Sequence, residues 1–426
     1  LYTDLLNTRT DFCPPLKNRI SCDVLVIGGG FAGLHAALRL ADSGKDVVLL
    51  ERSLCGGSSS GKSGGFLTPS SEADLTQLIN LHGPEEAKEL YNLPVRGIKL
   101  IVNAIKKYRL NCDLQEQEAL YLAINKRDIE FLKEELKAAK KLGLNYKFYD
   151  TKKLQSIHPG GGFHGGLLHR GTYGINSLVY TQELKNVLLK KGVRVYEGSE
   201  VHGIKNNVAR THLGSVKARN IIVCIDKMSD EFDKDMSKKC YHIQTYLAVS
   251  DPLSKSEIKK IFPGKRMMCW DTRDNYLHYR IIGKDRLIIG GSSILTLYYP
   301  KHYHSPFVIN RFIKDFKRHF PFLDHVKFVQ YWNGLIDVTK DLLPIVDYDP
   351  KNKSIQYVMG CAGLPWAAFC GDYAARRIID KNAENYSKYF SLHRKFFISE
   401  NIQMILGKPL SFLFSHLHAL TRKKRI

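Results

Sequence analysis

Gly28, Gly30 and Gly33 form a G-x-G-x-x-G pattern, Ala37 follows four residues later, and Glu51 stands 18 residues after Gly33. The first glycine permits a tight turn, the second lets backbone approach a pyrophosphate, and the third lets a helix close on the strand before it. A phosphate placed there meets free N–H groups and the positive end of a helix dipole. Glu51 is suited to accept hydrogen bonds from a ribose diol and argues against a 2′-phosphate. Directly after it, Arg52 to Phe66 contains five glycines and five serines, which fits neither helix nor regular strand. Backbone donors and the Lys62 ammonium suit a loop laid along a second part of a long anionic ligand. Dinucleotide binding is the chemistry this spacing predicts.

Positioning those residues requires a βαβ unit. Asp23–Ile27 and Asp46–Leu50 read as buried parallel strands, and Phe31–Ser43 carries apolar and small residues at helical spacing before Gly44. Far along the chain a second strand-to-helix junction recurs. Ile355–Val358 is an apolar run, Gly360-Cys-Ala-Gly363-Leu-Pro365 breaks it, and Trp366–Ile379 continues as a helix. Helical periodicity marks Ala87–Lys107, Lys126–Lys141 and Phe307–Phe320, whereas Tyr241–Val249, Asn275–Ile282 and Arg286–Ile289 read as strands.

At 426 residues, 44% hydrophobic and 25% charged, the chain has enough material for two or three lobes, and disorder or a disulfide scaffold is excluded. With 64 Lys plus Arg against 42 Asp plus Glu, the net charge of +22 favours anionic partners. The basic runs lack the interleaved aromatics of a single-strand reader, so they read as solvated faces, with nucleic acid left open as a partner. Nine scattered cysteines without a C-x-x-C pair, no apolar run long enough to span a bilayer and no apolar leader predict a cytoplasmic protein. No histidine group offers a convincing ligand set, so no metal is expected. Leu410, Leu413, Phe414, Leu417 and Leu420 fall on one helical stripe before Arg422–Arg425. That stripe predicts either a C-terminal helix docked on the lobe that holds the dinucleotide or a peripheral membrane contact with a basic anchor.

The spacing from Glu51 to Gly65 resembles the E-x(8)-S-G-R-N-G-G pattern of the D-amino-acid-oxidase and glycine-oxidase-like superfamily of FAD enzymes. Ser60, Gly61, Gly64 and Gly65 are identical, while Lys62 and Ser63 replace Arg and Asn. Pro14-Pro15-Leu16 before the first strand is similar to the gamma-glutamylputrescine-oxidase-like branch. Trp332, Gly334, Thr339, Asp341 and Pro344 match the superfamily's W-x-G-x-x-x-x-T-x-D-x-x-P-x-I segment, with Ile345-Val346 at its apolar end. The resemblance implies an α/β fold: an FAD-binding Rossmann-like domain of the glutathione-reductase type plus a second α+β substrate domain carrying an antiparallel sheet. It assigns 22–70, 160–230 and 329–380 to the first domain, 72–159 and 238–328 to the second, and 381–426 to a helical extension. It implies noncovalent FAD, because Gly334 stands where sarcosine-oxidase relatives carry the flavin-linked Cys. Contacts are expected from Gly28, Gly30, Gly33, Glu51, Arg52, Ser60, Gly61, Lys62, Gly64, Gly65, Val201, Gly360, Gly363 and Leu364. Pro365, often glycine in the family, has no N–H to donate. The late helix N-terminus is expected to face the flavin pyrimidine and raise its potential.

The same resemblance implies oxidation of a C–N bond by hydride transfer to flavin N5, with a small or polyamine-derived amine as substrate. Ile336 replaces the Arg that pairs with a carboxylate in glycine-oxidase relatives, which disfavours a simple α-amino acid. Arg280 is the substitute cation to consider, since alternation aims Tyr276, His278 and Arg280 at one face; a salt-bridged sheet surface is the plainer reading. Tyr246, Trp366 and Tyr298-Tyr299 are candidates for an aromatic amine pocket, with core packing as the alternative for each. Oxidation of an aminomethyl group on tRNA and a flavin-carrying interaction protein without turnover are the competing functions.

Overall fold

The computed structural model describes residues 12–69, 73–299, 303–380 and 382–421. Its first sheet has a parallel centre. Strand Arg19–Ile27 lies between Val47–Leu50 and Ser215–Val223; Arg194–Tyr196 extends the first side and Ile355–Met359 the second. Every residue of Val47–Leu50 and Ile355–Met359 is buried, as expected of strands covered on both faces. Helices Phe31–Asp42 and Leu364–Ile379 cross so closely that a Cβ on Gly371 would overlap the Ala32 backbone. Glycine at 371 is therefore a packing requirement between the two helices that begin beside the ligand cavity.

The second sheet has eight strands in the spatial order Phe328–Val338, Tyr241–Pro252, Arg286–Gly291, His278–Ile282, Met267–Asp271, Glu118–Ala123, Gly165–His169, Lys147–Asp150. All its pairings are antiparallel except the join between Met267–Asp271 and Glu118–Ala123, which is parallel. That join stitches two distant chain segments into one surface. Two of its strands come from pieces assigned by the sequence to the FAD domain. Gly165–His169, inside 160–230, and Phe328–Val338, at the start of 329–380, both pair within this sheet. Their apolar runs read alike in either sheet, and the choice of neighbour is a tertiary matter.

The two largest cores among the described residues follow from this layout. One packs the crossing helices and Leu75–Tyr108 against the parallel sheet, and the other packs the back of the second sheet against Pro306–His319. Leu75–Tyr108 is kinked at Gly83, whose φ of 77° lies in the left-handed region. The strand expected from Asn275 begins at His278, after a turn. Among the described residues no helix is long and apolar enough to cross a membrane, and no cluster of three or more potential metal ligands occurs.

Candidate active site

A cavity of about 620 Å³ runs between the two sheets, within the size range of cofactor and small-ligand sites. At one end it is built from backbone. Gly28 has φ 108°, and a Cβ there would collide with the Cys224 carbonyl; a Cβ on Gly33 would collide with the Gly28 carbonyl. Gly28 and Gly30 line the cavity, whereas Gly33 lies behind it and closes helix onto strand. Ser60 Oγ accepts from the Phe31 N–H at 3.1 Å, tying the serine-rich loop to the helix N-terminus. Glu51 accepts from the N–H groups of Gly29 (2.7 Å) and Ser53 (2.9 Å), and burial pushes its carboxyl upward. Arg52 and Val201 stand beside it on the cavity wall.

Side chains that sequence reasoning missed hold the loop after Glu51. Glu197 accepts from the Cys13 N–H at 2.7 Å and the Cys55 N–H at 2.5 Å, and pairs with Lys185 at 3.1 Å. Both members of that pair are buried, so removing either would strand a charge. Lys227 Nζ donates to Ser58 Oγ and Ser59 Oγ, each at 2.9 Å, and lines the cavity. Its own N–H donates to Asp337 at 2.6 Å, while burial and then Asp226 raise the Asp337 carboxyl to about 7. None of these contacts follows a sequence motif. Apart from Lys185 and Glu197, which are 12 residues apart, they join segments more than a hundred residues apart, and only the buried Lys–Glu combination hints at them.

Lys62 and Gly64 line the central part of the cavity, and burial followed by Lys227 lowers the Lys62 ammonium pKa. Trp332 Nε1 donates to the Lys62 carbonyl at 3.0 Å, which presses this loop onto the second sheet. Gly363 and Leu364 face the cavity at the start of the Leu364–Ile379 helix, alongside Pro365. Two helix N-termini thus border one cavity, and both favour negative charge. Glycines with no room for a Cβ, amide groups at two helix starts, an acid beside the first turn and lysines along the loop form a donor set that fits FAD.

Comparisons with known proteins agree. A sequence profile of the family described as DAO, FAD dependent oxidoreductase, matches residues 23–377. The chain belongs to this family. It is 28% identical over 394 residues to gamma-glutamylputrescine oxidoreductase of Escherichia coli (strain K12), covering 88% of each chain. It is 30% identical over 357 residues to a probable oxidoreductase, OrdL, of Haemophilus influenzae, covering 80% of this chain and 79% of that one. Glycine oxidase from Geobacillus kaustophilus shares the fold with a TM-score of 0.76 at 16% identity, over 88% of this chain and 99% of that one. L-Proline dehydrogenase from P. horikoshii superposes with a TM-score of 0.73 at 15% identity, over 92% and 99% respectively. The protein is an FAD-dependent oxidoreductase with the mixed α/β fold of these enzymes.

Several expected contacts of this oxidoreductase act from behind the cavity wall. Gly61, Gly65 and Gly360 do not line it; a Cβ on each would meet Gly56 and Leu178, the Ile175 carbonyl, or Thr339 respectively. They allow close approach of chain to chain. Of the four residues expected at the reaction centre, only His278 reaches the cavity. Its ring packs edge-on against Phe66 at 5.5 Å, its Nδ1 is buried without a hydrogen-bond partner, and burial lowers its pKa to about 4.

The other three need correction. Arg280 is fully buried; Nε donates to the Gly64 carbonyl at 2.8 Å and a terminal nitrogen to the Ile175 carbonyl at 2.6 Å. It clamps the glycine loop, because a buried guanidinium takes the carbonyl acceptors within reach. Tyr246 points to the opposite face of its strand and donates to the Tyr303 carbonyl at 2.9 Å, so Ile243, Thr245 and Leu247 line the cavity instead. Trp366 is buried in the helical core against Phe390, and its neighbours Pro365 and Ala367 face the cavity. Tyr298 lines the cavity and is hydrogen-bonded to His416 at 2.6 Å, while Tyr299 is exposed.

The tail helix docks by a face other than the apolar stripe, with Phe412 packed on Tyr241, Val338 and Ala362. Helix Lys408–Thr421 docks through Ser411, Phe412, Ser415 and His416, whereas Leu410, Phe414 and Leu417 of the apolar stripe face outward. The side chain of Leu420 and the basic run Arg422–Arg425 lie outside the described residues.

Proposed function

We propose that the protein oxidises the C–N bond of an amine, using noncovalently bound FAD. The flavin, when bound, supplies the hydride acceptor. The chain's own residues have to hold the donor carbon, keep the reacting amine neutral and keep water out.

The observation that carries this reading is the neutral, half-enclosed wall beside the glycine loop. Thr245, Gly291 and His278 line the sheet side, with Phe66 and Tyr276 around the histidine ring. An imidazole with a pKa of about 4 is uncharged at neutral pH, so it supports hydrogen bonding to an amine without adding positive charge. Burial beside apolar and aromatic groups disfavours an ammonium ion, which is the form that cannot release hydride. Ile336 lines the same cavity, Arg280 is committed to backbone carbonyls, and Arg273 is engaged by Asp271 and Asp315. This arrangement supports an amine without an α-carboxylate. Gly334 on the cavity wall offers no sulfur for a thioether to the flavin.

Anaerobic mixing of the FAD-loaded protein with a panel of amines tests the proposal. Loss of flavin absorbance near 450 nm is expected with primary or secondary alkylamines and not with glycine. A spectrum unchanged by every amine would overturn it.

A further inference from the structure

The cavity extends beyond His278 along the face of the second sheet. Trp270 is the register partner of His278, Tyr121 is the register partner of Trp270, and His169 lies on the next strand, two residues from the partner of Tyr121. All four line the cavity. Three strand spacings separate the His278 strand from the His169 strand, about 14 Å.

This far arm differs in chemistry from the wall around His278. Tyr146 stacks on His169 at 4.0 Å, Trp270 meets the same imidazole edge-on at 5.4 Å, and Tyr121 lies 5.6 Å from Trp270. Glu135 and Asp74 also line the arm. Glu135 is 4% exposed and accepts from the N–H groups of Leu75 and Thr76, each at 2.9 Å. His169 is 5% exposed, yet neither ring nitrogen has a hydrogen-bond partner. A buried imidazole with both nitrogens idle is costly unless a ligand completes it. Burial holds its pKa at about 3, so it is uncharged and one nitrogen offers a lone pair. Aromatic faces, two carboxyl groups and a neutral acceptor together recognise a cation.

We propose that this arm binds a second, charged nitrogen of the substrate, so that the enzyme selects elongated amines with a cation at each end and reacts at the end lying beside His278. The inference rests on the amine-oxidation reading above and adds to it a length and a direction. The groups packed on the His278 ring are the aromatic side chains Phe66 and Tyr276, whereas the arm carries Asp74 and Glu135, the latter raised to about 7 by burial and then by Asp74, and this difference orients the molecule. A span of about 14 Å corresponds to roughly twelve single bonds in an extended chain.

Linear α,ω-diamines of four to twelve methylenes, compared with n-alkylamines of equal length, provide the test. Anaerobic flavin bleaching by the longer diamines is expected to half-saturate at concentrations at least tenfold lower than by the matching monoamines, with no such gain at four methylenes. Glu135→Gln and Trp270→Leu are each expected to shrink that ratio at least threefold, and Trp270→Tyr to keep most of it. Bleaching by both series with equal half-saturation, or an undiminished ratio in both Glu135→Gln and Trp270→Leu, would overturn the arm alone. Absence of bleaching by either series would overturn amine oxidation itself.

An apolar outer face on the last two helices supports a separate inference. On Glu400–Leu406, Met404 is 72% and Ile405 85% exposed, and on Lys408–Thr421, Phe414 is 42% exposed beside outward-facing Leu410 and Leu417. Phe397 stacks on His418 at 3.6 Å and prolongs the face. Four basic residues, Arg422–Arg425, follow directly in the chain. Large exposed apolar side chains followed in sequence by concentrated positive charge match an anionic lipid surface. We infer that this helix pair rests in the interface of an anionic membrane. Co-sedimentation of the FAD-loaded protein with phosphatidylserine-containing vesicles is expected, at least fivefold above pure phosphatidylcholine. The exposed-site variant Ile405→Ser/Phe414→Ser is expected to lose it while retaining FAD. Equal recovery with both vesicle types, or masking of the face by dimers in solution, would overturn the assignment.

Discussion

The two walls of the cavity are made of different material. On the parallel-sheet side the wall is backbone: Gly28 and Gly30, the helix starting at Phe31, and the helix starting at Leu364. On the antiparallel side it is a row of side chains standing on alternate positions of successive strands, among them Thr245, His278, Trp270, Tyr121 and His169. A backbone wall is unforgiving, because a single added carbon displaces chain against chain. A side-chain wall exchanges its chemistry residue by residue while the sheet beneath it persists. One wall therefore suits a ligand that stays the same across a family, and the other suits a ligand that changes.

The largest expected effect attacks the backbone wall. Gly28→Val puts a branched side chain against the Cys224 carbonyl at φ 108°, and should yield protein that purifies without flavin colour and does not take up added FAD. Retention of FAD by that variant would break the contrast. Arg280→Leu is next, since it leaves the Gly64 and Ile175 carbonyls without their buried donor. Destabilisation of about 3 kcal/mol is expected in denaturant unfolding, from two groups at roughly 1–3 kcal/mol each. If Arg280 instead served a substrate carboxylate, the variant would keep its stability and lose binding.

Acid should separate the walls further. Burial lowers His158 and His278 to about 4 and His169 to about 3, and all three lie in the antiparallel half; His35, lowered to about 4, lies in the other. The unfolded chain takes up protons near pH 6.5 while these groups stay neutral in the fold. Their stabilisation is thus complete above about pH 6.5 and is lost as the pH falls toward 4. Amide exchange in Tyr241–Pro252 is expected to accelerate before that in Arg19–Ile27 as pH drops through this window. The smallest effect is Tyr246→Phe, which removes one hydrogen bond to the Tyr303 carbonyl. A cost of about 1 kcal/mol, with amine bleaching unchanged, would confirm that this ring lies outside the cavity.

The same difference explains what could be read in the sequence. Gly28, Gly30, Gly33 and Glu51 were legible because a turn, a close approach and a helix start restrict residue type locally. Gly363 and Leu364 were legible for the same reason. On the sheet, Tyr246 was misassigned because an even count places it opposite Thr245, and parity is set only when a neighbouring strand fixes which face is covered. Arg280 shares a face with His278 but meets Gly64 and Ile175 first, a competition decided by segments 216 and 105 residues away. Lys227 and Glu197 were silent for a related reason, since the loop serines and the Cys13 and Cys55 amides that they hold are remote in sequence. The direction of Leu410, Phe414 and Leu417 stayed open between a docked and a membrane-facing stripe, because an apolar stripe at helical spacing records amphipathicity without naming its partner.

The parallel join between Met267–Asp271 and Glu118–Ala123 also constrains how the molecule is born. A nascent chain that has emerged only as far as residue 240 carries three of the eight strands of that sheet, and Glu118–Ala123 waits with one flank unpaired. The far edge closes only when Phe328–Val338 arrives to zip along Tyr241–Pro252. Such distant pairings are slow to form and leave strand edges bare in the meantime. Production of the protein should therefore depend on shielding by chaperones until the last third of the chain has left the ribosome.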